Sequence, residues 1–369
     1  MSDESKEESQ EGVEESLEAK SETKIGLTPP VAPKMPSLDE MSKDLDVPSE
    51  MPSGVPSVIQ PRGFSSQEKV GDTWDDSFET LRTLVDKRRV ETALRRLPAG
   101  KHGHEGALLR MKCLIHLRKF EDAAEECESE ELKKSFEAQL FLAQLPWVLH
   151  SNSFGAMLKL QALSESWHQR GPEKNSDLHL QLLQVLSQLS LVAGHGHIGA
   201  EALKSALQRG GSERKRQLWS LLGRHHLSWG NLSAAKDAFE KARSFEGEES
   251  TLFLNDGLLA MSHSEYSKAR SFFESVSAEK VDDEEAVAAE NNLAVCKFYT
   301  KDLRGACQRL EELVKKDPLR FLKACILQNL ASLYDFSQDA SAKRRELQVL
   351  ATNAQLEDLD PELFQAPSE

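Results

Sequence analysis

Residues 194–199 are the stretch of this sequence whose residue types come nearest to a ligand site. Their letters, GHGHIG, match the G-x-G-x-x-G spacing that holds the phosphates of dinucleotides. That chemistry requires a buried strand before the first glycine. The preceding residues, 180–193, are instead rich in Leu and Gln at helical spacing. We therefore expect a glycine loop that joins two helices.

Histidines at close spacing are the second candidate for chemistry, because a metal site needs several nitrogen, sulfur or oxygen ligands together. The close pairs are His102 and His104, His195 and His197, and His225 and His226. None of them has a carboxylate or thiol at ligand spacing on a helix. No Ser, Cys or paired-carboxylate arrangement stands out as a nucleophile either. We predict no catalytic residue, no metal site and no cofactor.

Composition and charge narrow the class of protein further. The 369 residues carry a net charge of -15, which disfavours nucleic-acid binding, because that function needs a basic surface. No run of 18 apolar residues is present, so direct insertion into a membrane is not expected. The first residues are acidic and do not form a secretory signal. The five cysteines lack a C-x-x-C pair, which favours reduced thiols in the cytoplasm.

A helical repeat supplies the elements that must carry any site. Two copies of one pattern follow each other at a distance of 34 residues, the period of the tetratricopeptide repeat. The first copy consists of Trp219, Leu222, Gly223, Gly230, Ala235, Phe239 and Ala242. The second copy consists of Phe253, Gly257, Ala269, Phe273 and Val276.

The residue types fit the packing of two antiparallel helices. Gly223 and Gly257 are expected where the two helices of a hairpin approach most closely, opposite the small residues Ala235 and Ala269. The aromatic residues fill space between hairpins. Stacking of hairpins buries the apolar face that each hairpin alone would expose to water. The sequence thus predicts an all-α fold, a tetratricopeptide α-solenoid preceded by a disordered N-terminal tail.

The domain organisation follows from composition and periodicity. Residues 1–70 are acidic and then Pro-rich, which predicts a disordered tail, and order is expected to begin near Asp72 and Asp75 as helix caps. Residues 71–210 read as degenerate helical repeats, with breaks that include Pro146. Residues 211–364 read as four repeats at about 215–248, 250–283, 287–320 and 324–355. Ala306 and Pro318 belong to the signature of the third.

Asparagines recur at one position of the repeat. Asn255, Asn292 and Asn329 each stand two residues before the small residue of the signature, and Arg224 falls on the same helix face. An amide both donates and accepts, so a ladder of amides suits the backbone of an extended peptide. The alternative is that Asn is an ordinary residue at this repeat position. Three charged runs, at 213–216, 282–285 and 343–345, are expected to be solvated faces.

The last two repeats carry a more specific resemblance. The stretch 291–350 contains Asn-Leu-Ala-Val-Cys at 292–296, Asp317-Pro318, Asn329-Leu330, Tyr334 and the basic pair Lys343-Arg344. It resembles the C-terminal end of the subunit 12 family of the transport protein particle complex, TRAPP. The resemblance implies a non-catalytic subunit of a Rab-activating tethering complex, in transport between endoplasmic reticulum and Golgi and in autophagy. It implies a cytoplasmic protein, peripheral at the intermediate compartment and Golgi.

The implied partners are the other TRAPP subunits and, indirectly, a Rab GTPase. A tetratricopeptide co-chaperone or another peptide-binding adaptor is the alternative. A co-chaperone clamp for a peptide carboxylate needs several cations, because charge-assisted bonds supply much of its affinity. The residues that fall at the clamp positions are Ser220, Arg224, Asn255, Ala288 and Asn292, so most of the cations are missing. An enzyme with its site in the helical groove has no motif to support it.

Overall fold

A computed structural model describes residues 77–169, 176–209, 214–278 and 283–365 of the chain. Within these ranges the chain forms helices and no strand, and the predicted all-α repeat fold is confirmed. The predicted disordered tail and the predicted caps Asp72 and Asp75 lie outside the described residues. The first described helix follows Ser77, whose hydroxyl oxygen accepts a hydrogen bond from the Thr80 N–H at 3.3 Å.

The helices follow one another as antiparallel hairpins, in which we call the first helix A and the second helix B. Four hairpins precede residue 210, and a polar turn of a few residues joins the two helices of each. They are α1 (Phe78–Asp86) with α2 (Val90–Arg96), α3 (Gly103–His116) with α4 (Phe120–Cys127), α5 (Phe136–His150) with α6 (Ser153–Gln169), and α7 (Ser176–Val192) with α8 (Gly196–Arg209).

Four more hairpins follow in the second half of the described chain. They are α9 (Lys215–Ser228) with α10 (Leu232–Arg243), α11 (Glu249–Ser262) with α12 (Tyr266–Ala278), α13 (Asp283–Tyr299) with α14 (Leu303–Lys316), and α16 (Ala324–Tyr334) with α17 (Ala340–Asn353). The short helix α15 (Pro318–Phe321) precedes the last hairpin, and a 3-10 turn (Pro361–Phe364) ends the described chain. No described helix has the length and the apolar character needed to cross a bilayer.

The glycines of the repeat signature lie directly against the aromatic residue of the partner helix. A Cβ added at Gly223 would lie 2.3 Å from the Phe239 ring, and one added at Gly257 would lie 2.4 Å from the Phe273 ring. Both distances are far below a van der Waals contact, so only glycine allows helices A and B to approach this closely. The remaining apolar positions of the signature are buried: Leu222, Ala235, Ala269 and Ala306.

The degenerate hairpin α3–α4 has a large residue where other hairpins have the signature glycine, and a small residue where they have the signature phenylalanine. Met111 stands twelve residues before the buried Ala123, which is the place that Gly223 holds relative to Ala235. Cys127 then takes the place of Phe239, and its Sγ lies 3.4 Å from the Met111 Sδ. A large residue faces a small one in both cases, so the packed volume is kept. This exchange explains why the sequence shows the hairpin only as a degenerate repeat.

Two predicted breaks differ from the observed ones. Pro146 lies inside α5, which continues to His150, so the predicted break at this residue is wrong. A proline removes one helical hydrogen bond, and the burial of neighbours such as Phe141 outweighs that loss. The predicted glycine loop at 194–199 is shorter than expected. Gly194 is a left-handed turn residue with φ +77°, while Gly196 already begins α8.

The charged runs are not simply solvated faces. Arg216 is buried, and its guanidinium donates to the carbonyl oxygens of Phe245, Gly247 and Glu248 in the linker to the next hairpin. Arg344 is also buried and donates to the Ala331 carbonyl oxygen at 3.0 Å. Because several acceptors converge on each guanidinium, these residues tie backbone segments together.

Candidate partner-binding site

The A helices of successive hairpins face one another through polar side chains. We call this set the inner row; its members are Ser220, Arg224, Asn255, Asn291, Asn292 and Asn329. Ser220 and Arg224 stand one helical turn apart on α9, and Asn255 lies on the adjacent A helix, α11. The inner row therefore contains all four residues that the sequence proposes for partner binding.

Two of the predicted asparagines join neighbouring A helices. The Asn255 side chain is only 1% exposed, and its Nδ2 donates to the Ser220 Oγ at 2.8 Å. The Asn329 Nδ2 donates in the same way to the Asn291 Oδ1 at 2.7 Å. For Asn292, the residue at the repeat position of Ser220 is Leu254, which offers no polar group. The three amides thus do not form one open ladder; two of them hold the stack together.

Arg224 is the cation of the inner row. Burial lowers the pKa of its guanidinium, and the charge of Glu285 opposes that shift. The Glu285 carboxylate also accepts hydrogen bonds from the Ser250 Oγ and, at 2.7 Å, from the Thr251 Oγ1. The residues 282–285, predicted to be a solvated face, therefore contribute at least one carboxylate to the contacts between α11 and α13.

Two atoms of the inner row have no hydrogen-bond partner although they are buried: the Arg224 Nε and the Asn255 Oδ1. One is a donor and the other an acceptor, which is the pair of groups that an extended peptide backbone satisfies. Both atoms are shielded from solvent, so a ligand would reach them only after the inner row rearranges, and pairing them would then gain free energy. The use of this row for peptide binding stays a prediction.

The positions of a co-chaperone clamp are poorly suited to a carboxylate. Ser220 is fully buried and already accepts from Asn255, and Ala288 has no polar group. Arg224 is the single cation among the five clamp positions, all of which are described. Charge-assisted hydrogen bonds contribute most of the affinity of such clamps. A single half-buried arginine cannot replace the several cations that a clamp uses to bind a carboxylate.

The predicted histidine pairs lie in a structural network. The His225 ring bridges two hairpins, because its Nδ1 lies 2.7 Å from the Ser187 Oγ and its Nε2 lies 2.7 Å from the Gly196 carbonyl oxygen. Since a carbonyl can only accept, the Nε2 carries the proton and the Ser187 hydroxyl donates to the Nδ1. Burial lowers the pKa of His225, and the bond to Gly196 opposes the shift. Ser187 is 3% exposed, so this pair is closed to a substrate.

Metal ligation has no geometric support in the part of the chain that the structure describes. No group of three or more His, Cys, Asp or Glu side chains in the described ranges is placed to hold an ion. His195 contacts Phe154 with ring centroids 5.2 Å apart, and it lies 5.9 Å from the ring of His197. Both histidines belong to an edge of aromatic side chains.

That edge is a surface that sequence reasoning missed. Trp147 is 42% exposed and Phe154 is 48% exposed, on either side of the α5–α6 turn, while Trp229 is 46% exposed at the α9–α10 turn. His195 at the α7–α8 turn contacts Phe154, and the backbone of Gly196 lies against the Trp229 ring. We call Trp147, Phe154, His195 and Trp229 the turn edge. The available signal was an aromatic residue beside each of three successive hairpin turns, with His195 at the middle one.

A cleft adjoins the turn edge between α8 and the hairpin α9–α10. Its volume is about 550 Å³, and Trp219, Trp229 and His226 form its aromatic wall. The Lys241 Nζ lies 4.7 Å from the centre of the Trp219 ring, a cation–π contact. The Nδ1 of His226 is buried without a hydrogen-bond partner.

Comparison with known proteins finds a sequence similarity over part of the chain. No protein-family profile matches the chain. A stretch of 141 residues is 28% identical to the human trafficking protein particle complex subunit 12, covering 36% of this chain and 19% of that protein. The mouse subunit 12 matches at the same identity, with 17% of its length covered. The chain is therefore similar to TRAPP subunit 12, and the match spans about a fifth of those relatives.

Solved structures with some likeness to the chain have low sequence identity. The anaphase-promoting complex tetramer Cut9–Hcn1 is 15% identical with a TM-score of 0.41, and the match covers 78% of this chain and 57% of that one. A tetratricopeptide protein from Parabacteroides merdae is 11% identical with a TM-score of 0.41, covering 71% of this chain and 95% of that one.

Proposed function

We propose that this chain is a non-catalytic scaffold or adaptor subunit of a TRAPP-type tethering complex. The observation that carries this proposal is the 141-residue similarity to the human and mouse trafficking protein particle complex subunit 12. A stack of helical hairpins suits the role, because each hairpin adds a rigid surface on which another protein can dock. In this proposal the exchange reaction on a Rab GTPase is catalysed by other subunits.

The turn edge is the proposed docking surface for a neighbouring subunit. Trp147, Phe154 and Trp229 together expose aromatic surface beside successive turns. Exposed aromatic clusters of this kind mark protein interfaces, and Trp is among the residues that contribute most to binding free energy. The adjoining cleft beside Trp219 is large enough to receive a side chain from that subunit.

The inner row is the proposed second contact, for an extended segment of a partner. Binding would require the inner row to rearrange, so that Arg224 donates from its Nε to a backbone carbonyl and the buried Asn255 Oδ1 accepts from a backbone N–H. The net charge of -15 favours protein partners over nucleic acid. The proposal places the protein in the cytoplasm, peripheral at the intermediate compartment and Golgi, with roles in endoplasmic reticulum to Golgi transport and in autophagy.

Affinity purification of the tagged full chain tests the proposal. We expect the other TRAPP subunits to copurify in near-equal amounts by quantitative mass spectrometry. The tag alone serves as the first control, and a chain with Trp147→Ala and Phe154→Ala serves as the second. A clean preparation of folded chain without TRAPP subunits would refute the proposed complex. Titration with a Glu-Glu-Val-Asp peptide distinguishes a co-chaperone, for which tight binding to the same chain is required.

A further inference from the structure

The last described segment of the chain, residues 354–365, contacts the first hairpin across more than 260 positions of sequence. The Glu357 N–H donates to the Arg88 carbonyl oxygen at 3.0 Å. The Glu357 carboxylate accepts from the Thr92 N–H at 2.9 Å and from the Thr92 Oγ1 at 2.7 Å. The Arg88 Nε forms an ion pair with the Asp358 Oδ2 at 2.7 Å. Backbone and side chains thus join the two ends of the array.

A second arginine extends the contact to the next hairpin. The Arg118 Nη1 lies 2.5 Å from the Asp360 Oδ2. Arg88 and Arg118 occupy the same place in their hairpins, the left-handed turn residue between helices A and B, with φ of 60° and 59°. Glycine holds that place in two later hairpins, as Gly194 and Gly230, and Ser151, Ser264 and Lys301 hold it in three others. A side chain there is strained, and in the first two hairpins it is the side chain that contacts the C-terminal segment.

Arg88 connects three parts of the chain. Besides the ion pair with Asp358, its Nη1 donates to the carbonyl oxygens of Leu319 at 3.3 Å and Leu322 at 2.9 Å, in and after α15. The residue is 8% exposed, so the charge is paired away from bulk water. The Asp358 Oδ1 is buried without a hydrogen-bond partner. The contacts of Arg88 and Asp358 therefore select particular partners but leave one buried acceptor atom unpaired.

The apolar side of the segment belongs to the C-terminal hairpins. Four side chains pack on the core formed by α13 to α17: Leu356, Leu359, Leu363 and Phe364. Within the described residues, no cluster of buried apolar side chains has members both from α1–α4 and from this C-terminal core. The segment is held to one end by hydrophobic burial and to the other end by polar contacts.

We propose that Glu357, Asp358 and Asp360 form a clasp with Arg88, Thr92 and Arg118 that closes the array and opens without unfolding the hairpins. Salt screens the exposed pair of Arg118 with Asp360 more than the buried pair of Arg88 with Asp358, and it does not screen apolar burial, so salt weakens the clasp before it weakens the hydrophobic core. When it opens, the segment stays on the C-terminal core and both ends of the array become accessible. A partner that binds either end then favours the open form. This inference does not rest on the proposed function.

Hydrogen exchange and small-angle scattering on the full chain test the clasp. The variant carries Glu357→Gln, Asp358→Asn and Asp360→Asn, which keep shape and remove three charges. The matched control carries Asp237→Asn, Glu240→Gln and Glu274→Gln, which remove three charges from exposed positions on B helices. The wild type is also measured in 1 M NaCl, where the screening length falls to about 3 Å.

We expect the clasp variant to show at least tenfold faster exchange at the amides of Thr92 and Glu357 and a larger radius of gyration, with unchanged helical circular dichroism. The wild type in 1 M NaCl should shift in the same direction but less, because the Arg88–Asp358 pair is shielded from the salt, and the control variant should match the wild type. Unchanged exchange and radius in the clasp variant would overturn the proposal. Global loss of helix in the variant and in salt would overturn it as well, because the contacts would then belong to one cooperative core. The salt measurement decides the question if the variant does not fold.

Discussion

The Nδ2 of Asn255 donates a hydrogen bond to the Oγ of Ser220 at 2.8 Å, and this bond joins the A helices of two successive hairpins inside the stack. Asn329 and Asn291 repeat the relationship two hairpins later, at 2.7 Å. The recurrence of Asn at one repeat position therefore has a structural cause at two of its three occurrences. A polar pair between A helices fixes the register of one hairpin on the next.

Asn255→Ala should lower the free energy of unfolding by about 1 to 3 kcal/mol, because the Ser220 hydroxyl stays buried and loses its partner. Urea denaturation measures the change. Ser220→Ala in the same chain should recover part of the loss, so the two effects should not add. Asn292→Ala is the control, since the repeat position of Ser220 holds Leu254 there, and it should cost less. Equal costs for the two asparagines would show that the bond to Ser220 contributes nothing.

Gly223→Ala should destabilise the protein by about 1 to 3 kcal/mol, because the added Cβ would lie 2.3 Å from the Phe239 ring. Phe239→Leu in the same chain should restore part of the stability by making room. Ser228→Ala, on the exposed end of the same helix, is the control. If Gly223→Ala were as stable as the wild type in urea, the close approach of α9 and α10 would not depend on glycine.

His225 should make the stability depend on pH. Burial lowers its pKa in the folded chain, so the unfolded chain binds the extra proton more readily. The contribution is fully present above the unfolded pKa, near 6.5, and is lost as the pH falls below that value toward the lower folded pKa. We compare urea midpoints at pH 7.5 and pH 5.5. His225→Gln should reduce the difference between the two midpoints, and an unchanged difference would exclude His225 as its source.

Trp147→Ala with Phe154→Ala should weaken the copurification of partner subunits at least tenfold while shifting the unfolding midpoint little, because both side chains are largely exposed. Val349→Ala is the matched control, an exposed apolar residue on α17 far along the chain. Partner recovery that stays the same in the double variant would remove the turn edge from the proposed interface.

The thiols should differ in their reaction with a disulfide reagent at pH 8. Burial raises the pKa of Cys113, Cys127 and Cys296 to about 11, whereas Cys325 is exposed. The thiolate is the reactive form, so we expect a single fast-reacting thiol, that of Cys325. Cys325→Ser should abolish the fast phase in the native chain, and unfolding in urea should make the remaining thiols reactive. A fast phase that survives this substitution would contradict the observed burial.

Sequence periodicity alone determined the class of the fold. The spacing of Gly223 to Ala235 and of Gly257 to Ala269 identifies two helical hairpins, because close helix packing permits few residue types at those positions. The sequence shows the hairpin α3–α4 only as a degenerate repeat, since Met111 and Cys127 exchange the sizes that Gly and Phe have elsewhere. A residue type identifies a packing position only where no other residue fits there. Here a Gly–Phe pair and a Met–Cys pair both fill the space.

Contacts between polar groups that lie far apart in the sequence could not be predicted from it. Asn255 was a plausible groove residue by spacing, but its burial against Ser220 depends on how one hairpin stacks on the next. Arg88 and Asp358 are 270 positions apart, and neither stands in a motif. Local periodicity encodes which face of a helix is apolar, because that depends on near neighbours. Which charges meet depends on the path of the whole stack, and no local pattern carries that information.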